Sequence, residues 1–278
     1  MTLTTEDFNY VSDVVLTDSG IVISSGKEYL VESRLLPLSR KLGYDAIEPM
    51  LLELRTSKNA DVRSQIVDSM TTNETSFLRD LHPFEALRES VLPPLIEARK
   101  PTRKLRIWSA AASNGQEAYT IAIIIRQHFP DLADWDIEIL GTDISDRVLA
   151  KAEEGIYSQL EVNRGLPARY LTTYFDREGT SWRVKPTIRA MVTFRKMNLI
   201  GTWPAVPTMD VVFLRNVLIY FDVDVKREIL GKVQAHMSGD AMLFLGGAES
   251  PLGLDLDFER VSFEQCSCYR KPCGETCP

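Results

Sequence analysis

The part of this 278-residue chain that follows residue 100 alternates strand-like and helix-like segments, and this order constrains the fold more than any other feature. Strand-like runs occur at 105–110, 136–143 and 209–216. Helical periodicity follows the first run at 115–129 and the second from Ser145 to about Gly155. A βαβα order predicts a mostly parallel sheet with helices on both faces, which is an α/β fold.

Residues 1–90 differ from this pattern because helical segments follow one another without a convincing strand. Thr4 or Thr5 is placed to cap a first helix that ends near Ser19, and Gly43 is placed to end a second. The following stretch is rich in proline and basic residues, as linkers often are. We predict a helical domain at 1–90, a linker at 91–104, an α/β domain at 105–278 and, within it, an inserted β-subdomain at 165–198.

The charge balance limits the classes of partner. A net charge of -7 and an isoelectric point near 5.2 argue against a nucleic-acid-binding protein, which usually carries a basic surface. No apolar run reaches the roughly 18 residues of a membrane span. The N-terminal segment is acidic and lacks an apolar signal core, so we expect a cytoplasmic protein.

The four cysteines lie at the end of the chain and could in principle form a metal or redox site. Cys266, Cys268, Cys273 and Cys277 have the spacing C-x-C-x4-C-x3-C, which matches no standard zinc template. In a reducing cytosol, free thiols on a tail are favoured over a metal site or disulfides. We therefore assign no metal.

Ligands of open α/β sheets bind at the carboxyl ends of the strands, and three strand ends here carry informative residues. After the first strand, the small residues 110–113 and Gly115 allow a ligand to approach the backbone. Neither G-x-G-x-x-G nor G-K-[ST] is present, so NAD and ATP are not favoured. The second strand ends at Asp143, which either contacts ribose hydroxyls or caps a helix, although Ser145 is better placed for capping.

The third strand ends in "RNVLIYF", and the decamer "TTNETSFLRD" at 71–80 surrounds one aromatic residue with polar groups. With "IWSAAASNGQEAYTIAI", "GTDIS" and "FRKMNL", these blocks resemble the CheR family of chemotaxis receptor methyltransferases, which are S-adenosylmethionine-dependent glutamate O-methyltransferases. The resemblance runs from about residue 10 to 271. It implies an α/β, Rossmann-like class I S-adenosylmethionine-dependent methyltransferase domain, an N-terminal all-helical domain and a small inserted β-subdomain.

The resemblance also implies residue roles, with the decamer folded over the cofactor. Catalytic roles fall to Arg79 and Tyr220. Cofactor contacts fall to Asn73, Thr75, Arg79, Glu117, Asp143, Asn198, Leu199, Arg215 and Asn216. Two simpler alternatives stay open, namely a salt bridge between domains for Arg79 and a packing role for Tyr220.

Methyl transfer to a carboxylate needs no general base, because a glutamate with a pKa of about 4.3 is already ionised at neutral pH. The enzyme must instead align the carboxylate oxygen, the methyl carbon and the sulfur. We expect Arg79 to align the substrate carboxylate, since a very strong grip on the anion would oppose ester formation. No histidine is assigned a chemical role.

The expected partner is the acidic cytoplasmic helical bundle of a chemoreceptor, bound by a monomer. Arg34, Arg40 and Lys41 form a basic stretch that either docks this bundle or is simply a solvated helix face. The segment after Phe175 is short compared with relatives that bind a receptor C-terminal pentapeptide, so we expect no such tether. Two other functions remain as alternatives: a cofactor-binding regulator without turnover, and a methyltransferase for nucleic acids or small molecules.

Overall fold

The computed structural model describes residues 3–272 and divides into two compact units. The first unit is Met1–Thr72 with Tyr220–Val225, and the second is Asn73–Ile219 with Lys226–Pro278. Within 3–272, no helix combines the length and the apolar character that crossing a membrane requires.

The first unit is helical, as predicted. Its helices are α1 (Thr5–Ser19), α2 (Glu28–Lys41), α3 (Ile47–Ser57) and α4 (Ala60–Met70). Thr4 caps α1 by accepting a hydrogen bond from the N–H of Asp7, and Gly20 ends the helix with a φ of 75°. The apolar faces of the four helices share one core that includes the fully buried Val15 and Leu35.

The remaining helices lie wholly or mostly in the second unit. These are α5 (His82–Ala86), α6 (Leu92–Arg99), α7 (Gln116–His128), α8 (Asp146–Glu154), α9 (Gln159–Asn163), α10 (Ala168–Tyr174), α11 (Pro186–Arg189) and α12 (Val223–His236), with a π-helical turn at Leu87–Val91 and 3-10 turns at Pro130–Leu132 and Leu218–Tyr220. The α12 helix begins in the first unit and continues into the second.

The stretch that we predicted to be a linker contains α6. Leu92 and Leu95 are buried, and with Phe84 and Leu87 they belong to the core of the second unit. The first unit therefore ends at Thr72, before the predicted boundary at residue 90, because the apolar residues after it pack on the α/β core.

The large sheet confirms the predicted α/β fold. The strands of the chain are β1 (Lys104–Ala110), β2 (Asp136–Asp143), β3 (Ile156–Ser158), β4 (Phe175–Glu178), β5 (Ser181–Val184), β6 (Val192–Lys196), β7 (Met209–Leu214), β8 (Met237–Leu245), β9 (Glu259–Ser262) and β10 (Ser267–Arg270). Seven of them form a sheet in the order β6-β2-β1-β7-β8-β10-β9. The first five in this order pair in parallel, and β10 pairs antiparallel with both β8 and β9.

The predicted β-subdomain exists as a three-stranded antiparallel sheet in the order β3-β5-β4. It begins at Ile156, earlier than the predicted range 165–198. The stretch Val192–Lys196, which we assigned to the subdomain, is instead β6 at the edge of the large sheet. Only Phe194 of this strand is buried, so its hydrophobic pattern is too weak to reveal its place.

The strand register brings the site segments to one edge of the sheet. Ala110 at the end of β1 pairs with Thr142 of β2 on one side and with Leu214 of β7 on the other. Lys196 at the end of β6 pairs with Asp143. The loops that follow these four strands therefore start next to one another.

Candidate cofactor and methyl-transfer site

The loop after β1 makes a tight turn with several residues in the left-handed region. Ala111 and Ser113 have φ values of 57° and 50°, and Gly115 at the start of α7 has a φ of 83°. A Cβ atom at Gly115 would lie 2.8 Å from both Ala152 Cβ and the ring of Phe194. Glycine is required there for its conformation and for the space it leaves, and α7 can start close to α8.

Asp143 is buried at the end of β2 and holds the loop after β1. Its Oδ2 accepts a hydrogen bond of 2.9 Å from the N–H of Ser113, and its Oδ1 accepts one of 3.0 Å from the N–H of Ser145. The Oγ of Ser145 caps α8 by accepting from the N–H of Val148 at 3.3 Å. The helix cap is thus Ser145, and Asp143 fixes the backbone around the strand ends.

Asn198 and Leu199 follow β6, and Met197, the residue before them, is hydrogen-bonded to the backbone of Asp143. The N–H of Met197 donates to the carbonyl of Asp143 at 2.9 Å. Leu199 is buried, and its carbonyl accepts a bond of 3.1 Å from the indole N–H of Trp203. The amide oxygen of Asn198 accepts a bond of 3.2 Å from the N–H of Ile200, so this segment carries an amide side chain and a buried leucine directly after β6.

The decamer segment is held by a buried ring and by hydrogen bonds. Phe77 is fully buried, with its ring 5.0 Å from that of Tyr157 and 5.5 Å from that of Phe175, both edge to face. The carbonyl of Asn73 accepts a bond of 2.9 Å from Ser113 Oγ. The segment is irregular in backbone but well anchored, and its start lies at the loop after β1.

A glycine of the β-subdomain touches the backbone of the same segment. A Cβ atom at Gly165, whose φ is 98°, would lie 2.1 Å from the carbonyl oxygen of Phe77. The N–H of Leu78 donates to Thr120 Oγ1 at 3.3 Å, and Thr75 is half-buried. The segment is therefore packed between α7 and the residues that precede α10.

Arg79 is half-buried near the end of the decamer. Its Nη1 donates to the carbonyl of Glu74 at 2.8 Å, which curls the side chain back over the segment. The Glu74 carboxylate pairs at 2.5 Å with Arg164, and both side chains are largely exposed. The carbonyl of Arg79 accepts a bond of 3.0 Å from Arg215 Nη2.

Arg215 is the buried centre of an ion cluster. Its side chain is 2% exposed, and it donates from Nη1 to Glu117 Oε2 at 3.0 Å and from Nη2 to Asp80 Oδ2 at 2.8 Å. Glu117 Oε1 also accepts a bond of 2.8 Å from Ser109 Oγ of β1. The guanidinium lies 5.5 Å above the ring of Phe84. This cluster joins the end of the decamer, the start of α7 and the end of β7.

Asn216 follows in the left-handed region, with a φ of 59°. Its N–H donates to the buried carboxylate of Glu249 at 2.8 Å. Sequence reasoning did not select Glu249. The available signal was an acidic residue in "GGAES", directly after a buried strand and at the same sheet edge as the other site residues.

Tyr220 belongs to the first unit, whereas Arg79 belongs to the second. Tyr220 is half-buried, and its carbonyl accepts a bond of 2.9 Å from the N–H of Val22. The structure thus anchors the backbone of this residue to the helical unit, although it follows β7 in sequence.

The three basic residues of α2 differ in their surroundings. Arg34 is half-buried and donates to the carbonyls of Met70 and Thr71 at 2.6 and 2.9 Å, and burial lowers its pKa. Arg40 and Lys41 are exposed at the end of the helix. Arg34 therefore stabilises the end of α4, and the other two charges face solvent.

The two cysteines within the described residues do not lie on a tail, which corrects our expectation. Cys268 is buried in β10, with its Sγ 3.6 Å from Met242 Sδ, and burial raises its pKa to about 12. Burial also raises the pKa of the half-buried Cys266. Cys273 and Cys277 lie outside the described residues. Across residues 3–272, no three potential metal-binding side chains come together.

A parallel sheet whose strand ends carry a small-residue loop, a buried acid and an amide-bearing segment fits a methyltransferase of the Rossmann-like class. Residues 73–266 match the SAM binding domain of CheR methyltransferases, and residues 6–71 match their all-alpha domain. The chain belongs to the CheR methyltransferase family, and its cofactor is S-adenosylmethionine.

Curated relatives agree with this assignment over nearly the whole chain. Chemotaxis protein methyltransferase 1 of Pseudomonas aeruginosa is 39% identical over 271 residues, covering 96% of this chain and 97% of the relative. Chemotaxis protein methyltransferase 1 of Vibrio cholerae is 36% identical, covering 94% of this chain and 95% of the relative. The predicted family and fold class are confirmed.

Proposed function

We propose that the protein transfers the methyl group of S-adenosylmethionine to glutamate side chains of a chemoreceptor cytoplasmic domain. The products are glutamyl methyl esters, which serve chemotactic adaptation, and the reaction takes place in the cytoplasm. The observation that carries this proposal is the cluster of Arg215, Glu117 and Asp80, because it joins three of the segments on which the family resemblance depends. The names of the relatives support a chemotaxis substrate.

The chemistry of the residues at the strand ends fits the cofactor. The buried Asp143 carboxylate suits the ribose hydroxyls, and Asn198 with the buried Leu199 suits the adenine ring. The Nε of Arg215 is buried and makes no hydrogen bond among the described residues, which leaves one donor of this cluster without a protein partner. We assign the remaining contacts to Asn73, Thr75, Arg79, Glu117 and Asn216.

When bound, the cofactor supplies a methyl group on a sulfonium, and the chain itself must align the acceptor. A substrate glutamate arrives ionised, since its pKa of about 4.3 lies well below neutral pH. Arg79 uses Nη1 for Glu74, and its fork of five N–H donors leaves others that can orient a carboxylate. We assign a second orienting role to the Tyr220 hydroxyl.

Charge and the size of the subdomain support our proposal for the partner surface. Arg40 and Lys41 are exposed on α2 and suit an acidic helical bundle, whereas Arg34 is engaged with α4. The hairpin β4–β5 has strands of only four residues, Phe175–Glu178 and Ser181–Val184, which offers little length for a receptor tail. We propose that the enzyme acts as a monomer without such a tether.

The test is a methylation assay with the full chain, cofactor labelled in the methyl group and a chemoreceptor cytoplasmic fragment. We expect label on the fragment that alkali releases as methanol, which is the behaviour of a glutamyl ester. Label that resists alkali would refute the carboxylate as acceptor. Cofactor binding without any label would instead favour a regulatory protein that lacks turnover.

A further inference from the structure

Glu249 is a buried carboxylate that binds three backbone N–H groups at the sheet edge described above. Its Oε2 accepts from Gly246 at 2.7 Å and from Asn216 at 2.8 Å. Its Oε1 accepts from Ile219 at 3.3 Å. The side chain therefore connects the end of β8 with both ends of the turn at residues 216–219.

The packing around this carboxylate is tight. A Cβ atom at Gly246 would lie 2.7 Å from Glu249 Oε2, 2.8 Å from Asn216 Nδ2 and 2.9 Å from Asn216 N. Glycine at 246 thus lets the backbone and side chain of Asn216 approach β8. A Cβ atom at the neighbouring Gly247, by contrast, would have no other atom within 4 Å.

We propose that Glu249 is a positioning residue for methyl transfer, which acts by fixing the conformation of the turn at 216–219. The turn starts at Asn216, assigned to the cofactor, and ends immediately before Tyr220, assigned to the substrate. The inference rests on the proposed function for these two assignments. The hydrogen bonds of the Glu249 carboxylate go to backbone N–H groups, so its effect on the reaction passes through the residues that the turn carries.

The physical reason is preorganisation. The N–H groups of Asn216 and Gly246 would be left unsatisfied without an acceptor, and Asn216 must stay in the left-handed region. A charged acceptor makes stronger bonds to N–H donors than a neutral one does. Small displacements of aligned groups are costly, since misplacement by about 1 Å can reduce a rate by about a hundredfold.

Glu249→Gln tests one end of the turn. The single amide oxygen can keep the two shorter bonds to Gly246 and Asn216, and the amide NH2 then faces the N–H of Ile219, where two donors oppose each other. We expect kcat with the receptor fragment to fall about tenfold or more. We expect the affinity for S-adenosylhomocysteine, measured by calorimetry, to stay within about threefold of wild type. Glu264 is exposed, so Glu264→Gln is the control for loss of one charge. It should change neither kcat nor the affinity for S-adenosylhomocysteine.

Gly246→Ala tests the other end, against Gly247→Ala as the matched control. The added methyl group at 246 must displace Asn216 or Glu249, so we expect the affinity for S-adenosylhomocysteine to fall about tenfold or more. The added methyl group at 247 meets open space and should leave this affinity unchanged. Because product binding needs no receptor, this comparison decides the inference even if wild-type protein fails to methylate the fragment, a result that would refute the proposed function alone.

The binding stoichiometry gives the fraction of folded protein and separates positioning from simple destabilisation. If Glu249→Gln keeps the wild-type kcat per folded molecule, and Gly246→Ala binds product as Gly247→Ala does, the role of Glu249 is only structural and the proposal is overturned. A loss of kcat at preserved affinity in the first variant, with a loss of affinity in the second, supports it.

Discussion

Arg215 shows how a residue proposed for cofactor binding can also stabilise the fold. Its side chain is almost fully buried and pairs with Glu117, whose side chain is 13% exposed, and with the more exposed Asp80. A buried charge needs its partner, because desolvation of an unpaired carboxylate is costly. The ion cluster therefore stabilises the same segments that it holds at the site.

We predict that Arg215→Met lowers the free energy of unfolding by about 3 kcal/mol, since Glu117 loses its charged partner in a buried position. Urea unfolding of the cofactor-free protein measures this change. The control is Arg164→Met, which removes an ion pair with Glu74 between largely exposed side chains and should have a much smaller effect. Equal effects of the two variants would contradict the structural role of Arg215.

The buried thiol of Cys268 should make the stability of the protein depend on pH. Burial raises its pKa to about 12 in the folded protein, whereas a thiol in the unfolded chain ionises near pH 8.5, an approximate model-peptide value. Above about pH 8.5 the unfolded state loses this proton and the folded state keeps it, so stability falls as pH rises. The contribution approaches about 1.4 kcal/mol per pH unit for one group.

The measurement is urea unfolding between about pH 8 and pH 9.5, below the midpoint of tyrosine ionisation near pH 10. Wild-type protein should lose stability across this range faster than Cys268→Val, which cannot ionise. Parallel pH profiles for the two proteins would show that the buried thiol does not control this dependence.

At the scale of elements, the β-subdomain contacts the decamer segment as well as forming its own sheet. Gly165 lies against the carbonyl of Phe77, and the ring of Phe77 packs on Tyr157 of β3 and Phe175 of β4. The conformation of a segment assigned to the cofactor therefore depends on a subdomain that lies far from it in sequence.

We predict that Gly165→Ala weakens binding of S-adenosylhomocysteine, because a Cβ atom 2.1 Å from the Phe77 oxygen forces the segment to move. Gly179→Ala, in the β4–β5 turn, is the matched control. Gly179 also has a positive φ, 60°, but a Cβ atom there would have no other atom within 4 Å. Both variants carry backbone strain of about 1 kcal/mol, and only the first carries the clash. Calorimetry that finds equal affinities for the two variants would refute the coupling.

Local signals were sufficient for elements that carry their own caps and periodicity. The first helix was correctly predicted to end near Ser19, and its cap is Thr4, one of the two predicted candidates. The positions of β2 at residues 136–143 and of α8 with its cap at Ser145 were also correctly predicted. The place of β6 in the sheet was not predicted, because an edge strand with one buried residue gives almost no hydrophobic pattern. Glu249 was missed because its three partners come from two different loops.

For the whole molecule, the sequence blocks predicted the family and the α/β fold correctly, but not where the units divide. That division depends on which core receives Phe84, Leu87 and Leu92, and apolar residues give no local sign of the core they join. The assigned roles of Asp143, Arg79 and Tyr220 stay predictions, since residue chemistry at a strand end is compatible with several ligands.

The final prediction concerns recognition of the receptor as a whole. Arg40 and Lys41 are exposed on α2, so in the proposed docking mode reversing both to Glu replaces attraction to an acidic bundle with repulsion. We expect kcat/KM for the receptor fragment to fall at least about tenfold at low salt, mainly through slower association. Added salt should narrow the gap from wild type, because it screens exposed charges.

Product affinity serves as the internal control, since neither Arg40 nor Lys41 is among the proposed cofactor contacts. Reversal of the exposed Lys58 and Lys104 makes the same change in net charge elsewhere and should leave kcat/KM close to wild type. If that control loses as much activity as the α2 variant, net charge rather than a docking surface governs association. If the α2 variant loses product affinity in parallel with activity, the two residues act on the fold, and α2 is then only a solvated helix face.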